Sequence, residues 1–392
     1  MKFLFKVILL MLVGMSIIHA QKGLSENHLI FPPQEQHTHS SSVVQLPNGD
    51  FLACWFQGSG ERKANDVKIM GARLNKNSKA WGKPFLLADT PGQPDCNPVL
   101  FVDPKGRLVL YWIVVQANQW ETSVLKYRRS SDFLGDGAPK WDWQDVILLK
   151  PGEAFADQVE TQFKAQGGRG LAWAEYAPRY ESMVHEAAQD KKKRETGWMS
   201  RIQPLVLPNG RMLLPLYSDG FNFSLVAISD DNGETWRPSI PIVGYGNIQP
   251  SLVRRSNGEI VAYMRDNGDA PGRILVSTSK DQGDSWSFAQ KSELKNPGTS
   301  VQVLTLSNGH WLMVYNNTED GRHNLAVALS KNEGKDWSEP KYLEKKEKGQ
   351  GSFSYPTAIQ AKDGKVHITY SHSINGQEAI KHVSFLPKWM QK

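Results

Sequence analysis

The sequence predicts an all-β fold, a six-bladed β-propeller, from two repeated patterns and from its composition. One pattern is Ser-x-Asp-x-Gly-x-x-Trp, and the other is an Asn-Gly or Asp-Gly turn followed by an alternating strand. The 392 residues include 13 Trp, 33 Gly and 22 Pro, and few stretches have helical periodicity. Repetition at a steady spacing is typical of folds that use one supersecondary unit many times.

The Ser-x-Asp pattern occurs three times, at 229–236, 279–286 and 330–337, and Asn332 replaces the Asp in the third copy. Ser and Asp side chains hold turns by bonding nearby backbone amides, and Gly accepts a positive φ. The Trp offers a large apolar face for packing between layers. Each copy follows an alternating run, so we interpret it as a structural hairpin turn and not as a functional site.

The turn-and-strand pattern occurs six times. Its glycines are Gly49, Gly106, Gly210, Gly258, Gly309 and Gly364. Asn-Gly and Asp-Gly are strong signals for tight hairpins. A spacing of roughly 50 to 60 residues suits a four-stranded unit, and four-stranded sheets repeated radially make a propeller. The second gap is longer, which predicts a partly helical insertion at about 151–199 between blades 2 and 3. A degenerate seventh unit hidden there is the alternative.

Each unit can be divided into four strands, which in the first unit are 41–46, 51–56, 67–74 and 84–88. The last unit supplies three good strands and ends near Phe385. We predict that its missing outer strand is 28–31, near the mature N-terminus. This pairing would close the ring without leaving an unpaired edge.

The first residues predict an exported protein. A basic start is followed by an apolar run at 7–18 and by the small residue Ala20. We therefore expect a signal peptide at 1–20, a single propeller domain at 21–392, and a secreted or periplasmic location. The apolar run is too short to span a bilayer, so we expect no membrane insertion after cleavage. The formal charge of +6 fits an acidic substrate, but it fits a solvated Lys-rich surface equally well.

The sequence gives little sign of cofactors or macromolecular partners. Cys54 and Cys96 are too few for a disulfide framework, so buried free thiols are expected, with one bridge as the alternative. No Cys/His spacing suggests zinc, and we expect no metal or cofactor. The basic run 191–194 is interpreted as an exposed loop and not as a nucleic-acid site. We expect a monomer.

Polar residues are predicted to converge on one end of the central channel. They enter the first strand of each blade or lie in the loop between its second and third strands. They include His37, His39, Asn97, Arg201, Gln249 and Tyr355 from the first group, and Asp219, Arg265, Arg273 and Arg322 from the second. A channel that was only packed would not need such a rim, so it predicts a binding or catalytic site.

In these features the chain resembles the sialidase-like superfamily of Asp-box, or BNR-repeat, propellers. The three Ser-x-Asp turns, the six hairpins and the closing stretch 352–358 agree in order over nearly all of the mature chain. The resemblance implies six blades and a site in which three arginines hold a substrate carboxylate. It also implies that a Tyr–Glu pair is the nucleophile and that an Asp is the acid/base.

Three residues match this family pattern. Tyr355 lies where the nucleophilic Tyr enters the last blade, and Arg273 and Arg322 lie where two of the three arginines are found. The resemblance therefore implies that Arg273 and Arg322 clamp the carboxylate of an acidic sugar. Bidentate pairing with carboxylates is the usual role of arginine at such sites.

The other family positions differ. His39 replaces the first arginine, Phe56 lies where the acid Asp is expected, and Gln249 lies where the Glu partner of the tyrosine is expected. Glu61 and Asp66 are alternative acids, because they are close in sequence to the missing one. The hydrolytic set implied by the resemblance is therefore incomplete.

The remaining residues suit β-elimination from a uronic acid. Arginine would stabilise the charge that builds on the carboxylate, Tyr355 or a histidine would remove the C5 proton, and a second group would protonate the C4 oxygen. His37 and His39 are the predicted proton carriers, since histidine titrates near neutrality. The predicted substrate contacts, besides Arg273 and Arg322, are Arg265, Arg201, Gln249 and Asn97.

The expected function is thus that of a secreted carbohydrate-active enzyme, a lyase or dehydratase, acting on the non-reducing-end acidic sugar of anionic oligosaccharides. Related propellers include lyases acting on ulvan-type polymers, so the resemblance implies a substrate of that kind. An exo-sialidase or another exo-glycosidase is one alternative. A glycan-binding propeller without catalytic activity is the other.

Overall fold

Six antiparallel sheets form the ring in the computed structural model, which describes residues 24–167 and 179–391. The predicted all-β, six-bladed propeller is therefore confirmed. The predicted signal peptide at 1–20 lies outside the described residues. Among the described helices, none has the length and apolar character needed to cross a bilayer.

The strands of the first three blades follow one another along the chain. Strand β1 (Glu26–Leu29) precedes blade 1, which contains β2 (His37–Gln45), β3 (Phe51–Gly58), β4 (Lys68–Leu74) and β5 (Phe85–Ala88). Blade 2 contains β6 (Asp95–Val102), β7 (Leu108–Val114), β8 (Val124–Ser130) and β9 (Trp143–Val146). Blade 3 contains β10 (Met199–Ser200), β11 (Leu205–Val206), β12 (Met212–Ser218), β13 (Phe223–Ser229) and β14 (Arg237–Pro238). Its innermost strand is broken, since β10 and β11 both pair with β12.

The last three blades complete the ring. Blade 4 contains β15 (Asn247–Arg254), β16 (Ile260–Asp266), β17 (Arg273–Ser279) and β18 (Gln290–Lys295). Blade 5 contains β19 (Gln302–Thr305), β20 (Trp311–Tyr315), β21 (Asn324–Ser330) and β22 (Lys341–Lys345). Blade 6 contains β23 (Ser352–Gln360), β24 (Val366–Ile374) and β25 (Gln377–Phe385). Its outer strand is β1, antiparallel to β25 with Asn27 opposite Val383, as the predicted closure requires.

A helical segment separates blades 2 and 3. It contains α1 (Ala154–Ala165), α2 (Tyr180–Gln189) and α3 (Lys191–Glu195), while short 3-10 turns lie at Gln116–Asn118, Trp120–Thr122 and Pro387–Gln391. Helix α1 buries Phe155, Val159 and Phe163, whose spacing of four places them on one face. The ring of Phe155 packs edge-on against Phe221 beside blade 3. The described part of this insertion is therefore helical and contains no seventh blade.

The three Ser-x-Asp turns are structural, as predicted. In each copy the Ser hydroxyl accepts a hydrogen bond from the backbone N–H of the Gly four residues later, at 2.8, 2.9 and 2.8 Å. Asp231 accepts bonds from the backbone and hydroxyl of Thr235. Partial burial opposes ionisation of Asp231, but these hydrogen bonds dominate and lower its pKa to about 2. The charged carboxylate therefore holds the turn closed.

The Gly of the third turn makes one testable contribution to stability. A Cβ at Gly334 would lie 2.2 Å from the Tyr263 hydroxyl and 2.8 Å from the Trp311 ring, and its φ is +82°. Gly334→Ala is expected to lower the free energy of unfolding by about 2 to 5 kcal/mol, from backbone strain and overpacking. Thermal or urea unfolding measures this loss.

The matched control lies in the same blade. Gly309 has a φ of +81° but open space where a Cβ would be. Gly309→Ala should therefore lose only the backbone contribution, about 1 to 2 kcal/mol. Equal losses in the two variants would contradict the packing role of Gly334 between blades 4 and 5.

Candidate active site

A β-bulge interrupts the innermost strand of four blades at the same level. In each, two residues oppose one on the neighbouring strand, between His39 and Ser42 in blade 1 and at the corresponding places in blades 2, 4 and 6. The first bulged residues have positive φ values of 57°, 49°, 55° and 54°; they are Ser40, Asn97, Gln249 and Tyr355. Positive φ is uncommon outside glycine, and bulges redirect side chains. The same local distortion therefore places residues of four blades around the axis.

The sequence contains a signal for these bulges. Proline follows the bulged residue in three of the four blades, at Pro98, Pro250 and Pro356. Proline has no N–H to donate to the strand ladder, so within sheets it is largely confined to edges and bulges. An X-Pro pair inside an otherwise regular inner strand would therefore have located three of the four redirected side chains.

Three of the redirected side chains, those of Asn97, Gln249 and Tyr355, meet at two tyrosine hydroxyls. The Tyr355 hydroxyl accepts hydrogen bonds from Gln249 Nε2 at 3.1 Å and from Arg265 Nη1 at 2.9 Å. The Tyr217 hydroxyl accepts bonds from Asn97 Nδ2 at 2.9 Å and Gln249 Nε2 at 3.3 Å. Burial raises the pKa of Tyr217 well above its ordinary value, so that phenol stays protonated. Tyr355 thus receives N–H donors from an amide and a guanidinium.

These groups lie in a cavity of about 400 Å³ at one end of the channel. Its lining includes seven of the predicted site residues, namely His37, His39, Asn97, Gln249, Arg265, Arg322 and Tyr355. It also includes Glu61, Trp120, Tyr217, Asp219 and Glu378. The convergence expected from the blade geometry therefore occurs for most of the predicted residues.

The predicted arginine clamp needs a correction. Arg273 does not line the cavity: its Nη1 lies 2.7 Å from a carboxylate oxygen of Glu319 and donates to the Gly272 carbonyl. The arginines that do face the cavity are Arg265 and Arg322, and the guanidinium carbon of Arg322 is 5.4 Å from the centre of the Tyr355 ring. A carboxylate clamp at this site would therefore use Arg265 and Arg322.

Arg201 also lies elsewhere than predicted. Its side chain is only 1% exposed and is not part of the cavity lining, so it is not placed to bind a substrate directly. Its Nη2 donates to the Pro356 carbonyl at 3.0 Å, and its guanidinium carbon lies 5.0 Å from the centre of the Tyr355 ring. Arg201 therefore supports the tyrosine from the closed side of the site.

The two histidines have opposite electrostatic environments. Burial opposes protonation of His37, but the Glu378 carboxylate, 3.3 Å from its Nδ1, and Glu61 together raise its pKa above 6.5. His39 is buried, and this burial and the nearby positive charges, of which Arg322 contributes most, lower its pKa well below 6.5. The site therefore holds one histidine that favours its proton and one that is neutral at pH 7.

The carboxylates form a separate group on the cavity wall. Asp219 is open to water in the cavity, and partial enclosure by protein raises its pKa. Of the two alternative acids, Glu61 lines the cavity, whereas Asp66 bonds the backbone and hydroxyl of Ser59 outside it. Phe56 occupies the place of the family acid and is completely buried beside His39.

Several lining residues were missed in the sequence, although the geometric rule used there extends to three of them. Trp120 lies between the second and third strands of blade 2, and Glu378 lies at the start of β25 in the corresponding connection of blade 6. Tyr217 is two residues before Asp219, at the end of β12. Applying the same rule to every blade would have included all three.

As a chemical unit, the cavity combines two arginines, a tyrosine with two N–H donors, and a histidine pair. Guanidinium groups suit a carboxylate ligand. The tyrosine oxygen is held where negative charge on it would be stabilised. Proton transfer needs one group able to accept a proton and another able to donate one. The two histidines differ in this respect, because the environment of His37 favours the protonated ring and that of His39 favours the neutral ring.

Comparison with known proteins agrees with this architecture. The family model described as a BNR repeat-like domain matches residues 49–200 and 193–368. Anhydrosialidase from Macrobdella decora is 26% identical over 178 residues, which are 41% of this chain and 23% of that protein. The match thus spans less than a quarter of that relative's length.

Solved structures extend the likeness to the whole fold. A protein of unknown function from Dyadobacter fermentans has a TM-score of 0.66 at 17% identity, covering 93% of this chain and 100% of its own. NanB sialidase from Streptococcus pneumoniae also has a TM-score of 0.66, at 13% identity, covering 93% of this chain and 71% of its own. At these identities the structures show a shared fold. Because the family model matches most of the chain's length, the chain belongs to the BNR repeat-like domain family.

Proposed function

We propose that the protein is a secreted carbohydrate-active enzyme that acts by β-elimination on a non-reducing-end uronic acid of anionic oligosaccharides. The observation that carries this proposal is the partner set of the Tyr355 hydroxyl. Its hydrogen bonds come from Gln249 and Arg265, and neither is a carboxylate. A tyrosine used as a glycosidase nucleophile would need a neighbouring base to activate it. An amide cannot take that proton.

Substrate binding follows from the two cavity arginines. Arg265 and Arg322 suit the carboxylate of an acidic sugar, and they would stabilise the negative charge that builds there when the C5 proton leaves. The cavity of about 400 Å³ suits one sugar ring with a short extension. This volume and charge support a terminal acidic residue as the group that reacts.

Proton removal is assigned to Tyr355. The two N–H donors on its oxygen stabilise negative charge there, so the phenolate can accept the C5 proton. His39 is the weaker candidate, because burial and nearby positive charge lower its pKa well below 6.5 and make it a poor base. Its ring packs 4.1 Å from that of Tyr355 and helps to hold the phenol in place.

Proton delivery is assigned to His37. Its Nδ1 is held by Glu378, and its Nε2 lies 4.0 Å from Glu61 Oε1 but makes no hydrogen bond within the described part of the chain. The protonated ring can therefore donate from Nε2 to the C4 oxygen as that oxygen leaves. On a non-reducing-end uronate the C4 oxygen is a free hydroxyl, and its loss makes the enzyme a dehydratase. A glycosidic oxygen at C4, on a uronate that carries a further sugar there, would make it a lyase.

The test is a product scan on oligosaccharides that end in a uronic acid and on sialylated oligosaccharides. We expect a rise in the ultraviolet absorbance of a C4–C5 double bond, together with an unsaturated uronate in the mass spectrum. Release of a saturated acidic sugar without that absorbance would contradict elimination. Binding of acidic sugars without any new product would instead indicate a non-catalytic glycan-binding propeller.

A second candidate, an exo-glycosidase such as a sialidase, is favoured by one observation. Partial enclosure raises the pKa of Asp219, which lines the cavity, and a carboxyl group that keeps its proton is the general acid of most glycosidases. Two of the relatives compared above have sialidase names. This candidate predicts turnover of a sialoside that is lost in both Asp219→Asn and Tyr355→Phe.

The role of His37 predicts a defined pH dependence. If its protonated form is the acid, the fraction of His37 able to donate should fall as pH rises through its pKa, which Glu378 and Glu61 hold above 6.5. Glu378→Gln removes the closest negative charge, so the midpoint of kcat/KM that His37 sets should move down by about one pH unit. Glu26→Gln is the matched control, since Glu26 pairs with His28 away from the cavity. An unchanged midpoint in Glu378→Gln would exclude His37 as the acid.

A further inference from the structure

Arg201 is a buried cation without a carboxylate among its hydrogen-bond partners. Its side chain is 1% exposed. Its two terminal nitrogens donate to the Pro356 carbonyl at 3.0 Å and, at 3.4 Å, to the Ser41 carbonyl and the Thr357 hydroxyl. Its Nε has no hydrogen-bond partner in the described residues. Carbonyl and hydroxyl oxygens solvate the guanidinium, but they do not neutralise it.

A buried charge is costly unless an opposite charge or an extensive set of hydrogen bonds compensates it. Burial lowers the pKa of Arg201 to about 10, and the groups that oppose this shift are Tyr355, Tyr217 and Cys54. All three are neutral acids until they lose a proton. Tyr355 acts most strongly of these groups, and the guanidinium carbon of Arg201 lies 5.0 Å from the centre of its ring.

From this geometry we infer that Arg201 is a positioning residue that acts through Tyr355. Its guanidinium supplies, from the closed side of the ring, the positive charge that balances the phenolate after Tyr355 has lost its proton. The inference rests on the proposed function, because it assigns Arg201 to the proton-accepting form of Tyr355. Arg201 does not line the cavity, so its role is not direct binding of the substrate.

The other two arginines cannot replace this charge during turnover. Arg265 and Arg322 face the cavity, where the substrate carboxylate would bind and neutralise them. Arg201 is buried and does not line the cavity, so the substrate does not reach it, although its guanidinium carbon is 5.0 Å from the centre of the Tyr355 ring. Its charge therefore remains when the site is occupied, at the moment when the phenolate is needed as a base.

The experiment is an ultraviolet pH titration of the substrate-free protein, in which the difference between the parent and Tyr355→Phe isolates the tyrosinate signal of Tyr355. Arg201→Gln removes the charge and keeps an N–H donor, and Arg201→Lys keeps the charge. Arg201→Met serves if the Gln variant does not fold. The control is Arg73→Met, because Arg73 is also buried and held by two backbone carbonyls, but on β4.

In the charge-free variants the Tyr355 signal is expected to form at least about one pH unit higher, a tenfold weaker ionisation. The kcat/KM profile on a uronate substrate should shift by the same amount, and Arg201→Lys should restore most of both. An unmoved Tyr355 signal would overturn the inference even if uronates are turned over. A moved signal without turnover of any uronate would uphold Arg201 and reject the proposed function.

Discussion

Tyr355→Phe is expected to reduce kcat on a uronate-terminated oligosaccharide by about a thousandfold, within the range of a lost general base. KM should change little, because the proposed contacts to the substrate carboxylate come from Arg265 and Arg322, which line the cavity, and not from the phenol. The Tyr355 backbone has a φ of 54° and forms part of the blade 6 bulge, and the substitution keeps the ring and changes only its oxygen. Steady-state kinetics measures the loss.

The matched control is Tyr127→Phe. Tyr127 is a buried phenol whose oxygen accepts a hydrogen bond from the Trp143 indole, and it lies on β8, outside the cavity lining. Its loss should leave both kinetic constants within about twofold, since it removes a single hydrogen bond away from the chemistry. Retention of more than a tenth of the parental kcat in Tyr355→Phe would reject Tyr355 as the base.

The second large effect concerns the seam between blade 1 and blade 6, the blade that the N-terminal strand completes. A chain of hydrogen bonds crosses it, from the Trp81 indole to His382 Nδ1 at 3.3 Å and between His382 Nε2 and His367 Nδ1 at 3.0 Å. The indole N–H can only donate, so His382 must accept at Nδ1 and carry its proton on Nε2. His367 then accepts that proton's hydrogen bond. Both rings must be neutral for the chain to exist.

Acid is therefore expected to destabilise the seam. Burial lowers the pKa of His367 to about 4, with Asp363 opposing and Lys365 reinforcing the shift, and burial with His367 and His28 lowers that of His382. Because the folded pKa lies below the unfolded one, this stabilisation is complete above pH 6.5 and is lost as pH falls towards 4. A shift from 6.5 to about 4 at His367 corresponds to about 3 kcal/mol in the free energy of unfolding.

Urea unfolding at a series of pH values tests this account. The free energy of unfolding should fall by about 3 kcal/mol or more between pH 7 and pH 4. His367→Phe should flatten part of this slope while lowering stability at pH 7, because the His382 N–H loses its acceptor. His310→Gln changes a partly exposed histidine beside a hairpin turn and should leave the slope unchanged. The same slope in His367→Phe as in the parent would contradict the buried chain.

Local signals were sufficient for the fold, because each blade repeats its own turn chemistry. The six Asn-Gly or Asp-Gly hairpins and the Ser-x-Asp turns identify strands independently of tertiary context. Closure by β1 was predictable for a different reason, since the last blade lacked an outer strand and a ring avoids unpaired edges. Both arguments need only strand order and spacing.

The site was predictable only to the level of which strand ends meet. Arg273 and Arg265 both lie at strand ends of blade 4, but Glu319 pairs with Arg273 and holds it outside the cavity. Arg201 follows β10, where the inner strand of blade 3 is broken, and its side chain is buried near the Tyr355 ring and not at the rim. Side-chain pairing between blades decides whether such a residue faces the cavity, and the spacing of strands in the sequence does not reveal that pairing.

The protonation states of the two cavity histidines could not be predicted from the sequence, for the same reason. His37 and His39 are two residues apart on one strand, so they have equal standing in a sequence argument. Their difference comes from Glu378, which reaches His37 across the closing blade, and from burial and the arginines around His39. Charges distant in sequence thus set the two histidine pKa values apart, and only the folded ring brings those charges together.

The most direct test of elimination in this cavity is to determine whether the product contains oxygen from the solvent. The reaction is run on a uronate-terminated oligosaccharide in water enriched in heavy oxygen, and the acidic product is analysed by mass spectrometry. Elimination predicts an unsaturated uronate that contains no solvent oxygen, formed by the parent and absent with Tyr355→Phe. A saturated acidic sugar that carries one solvent oxygen at its anomeric carbon would contradict the account.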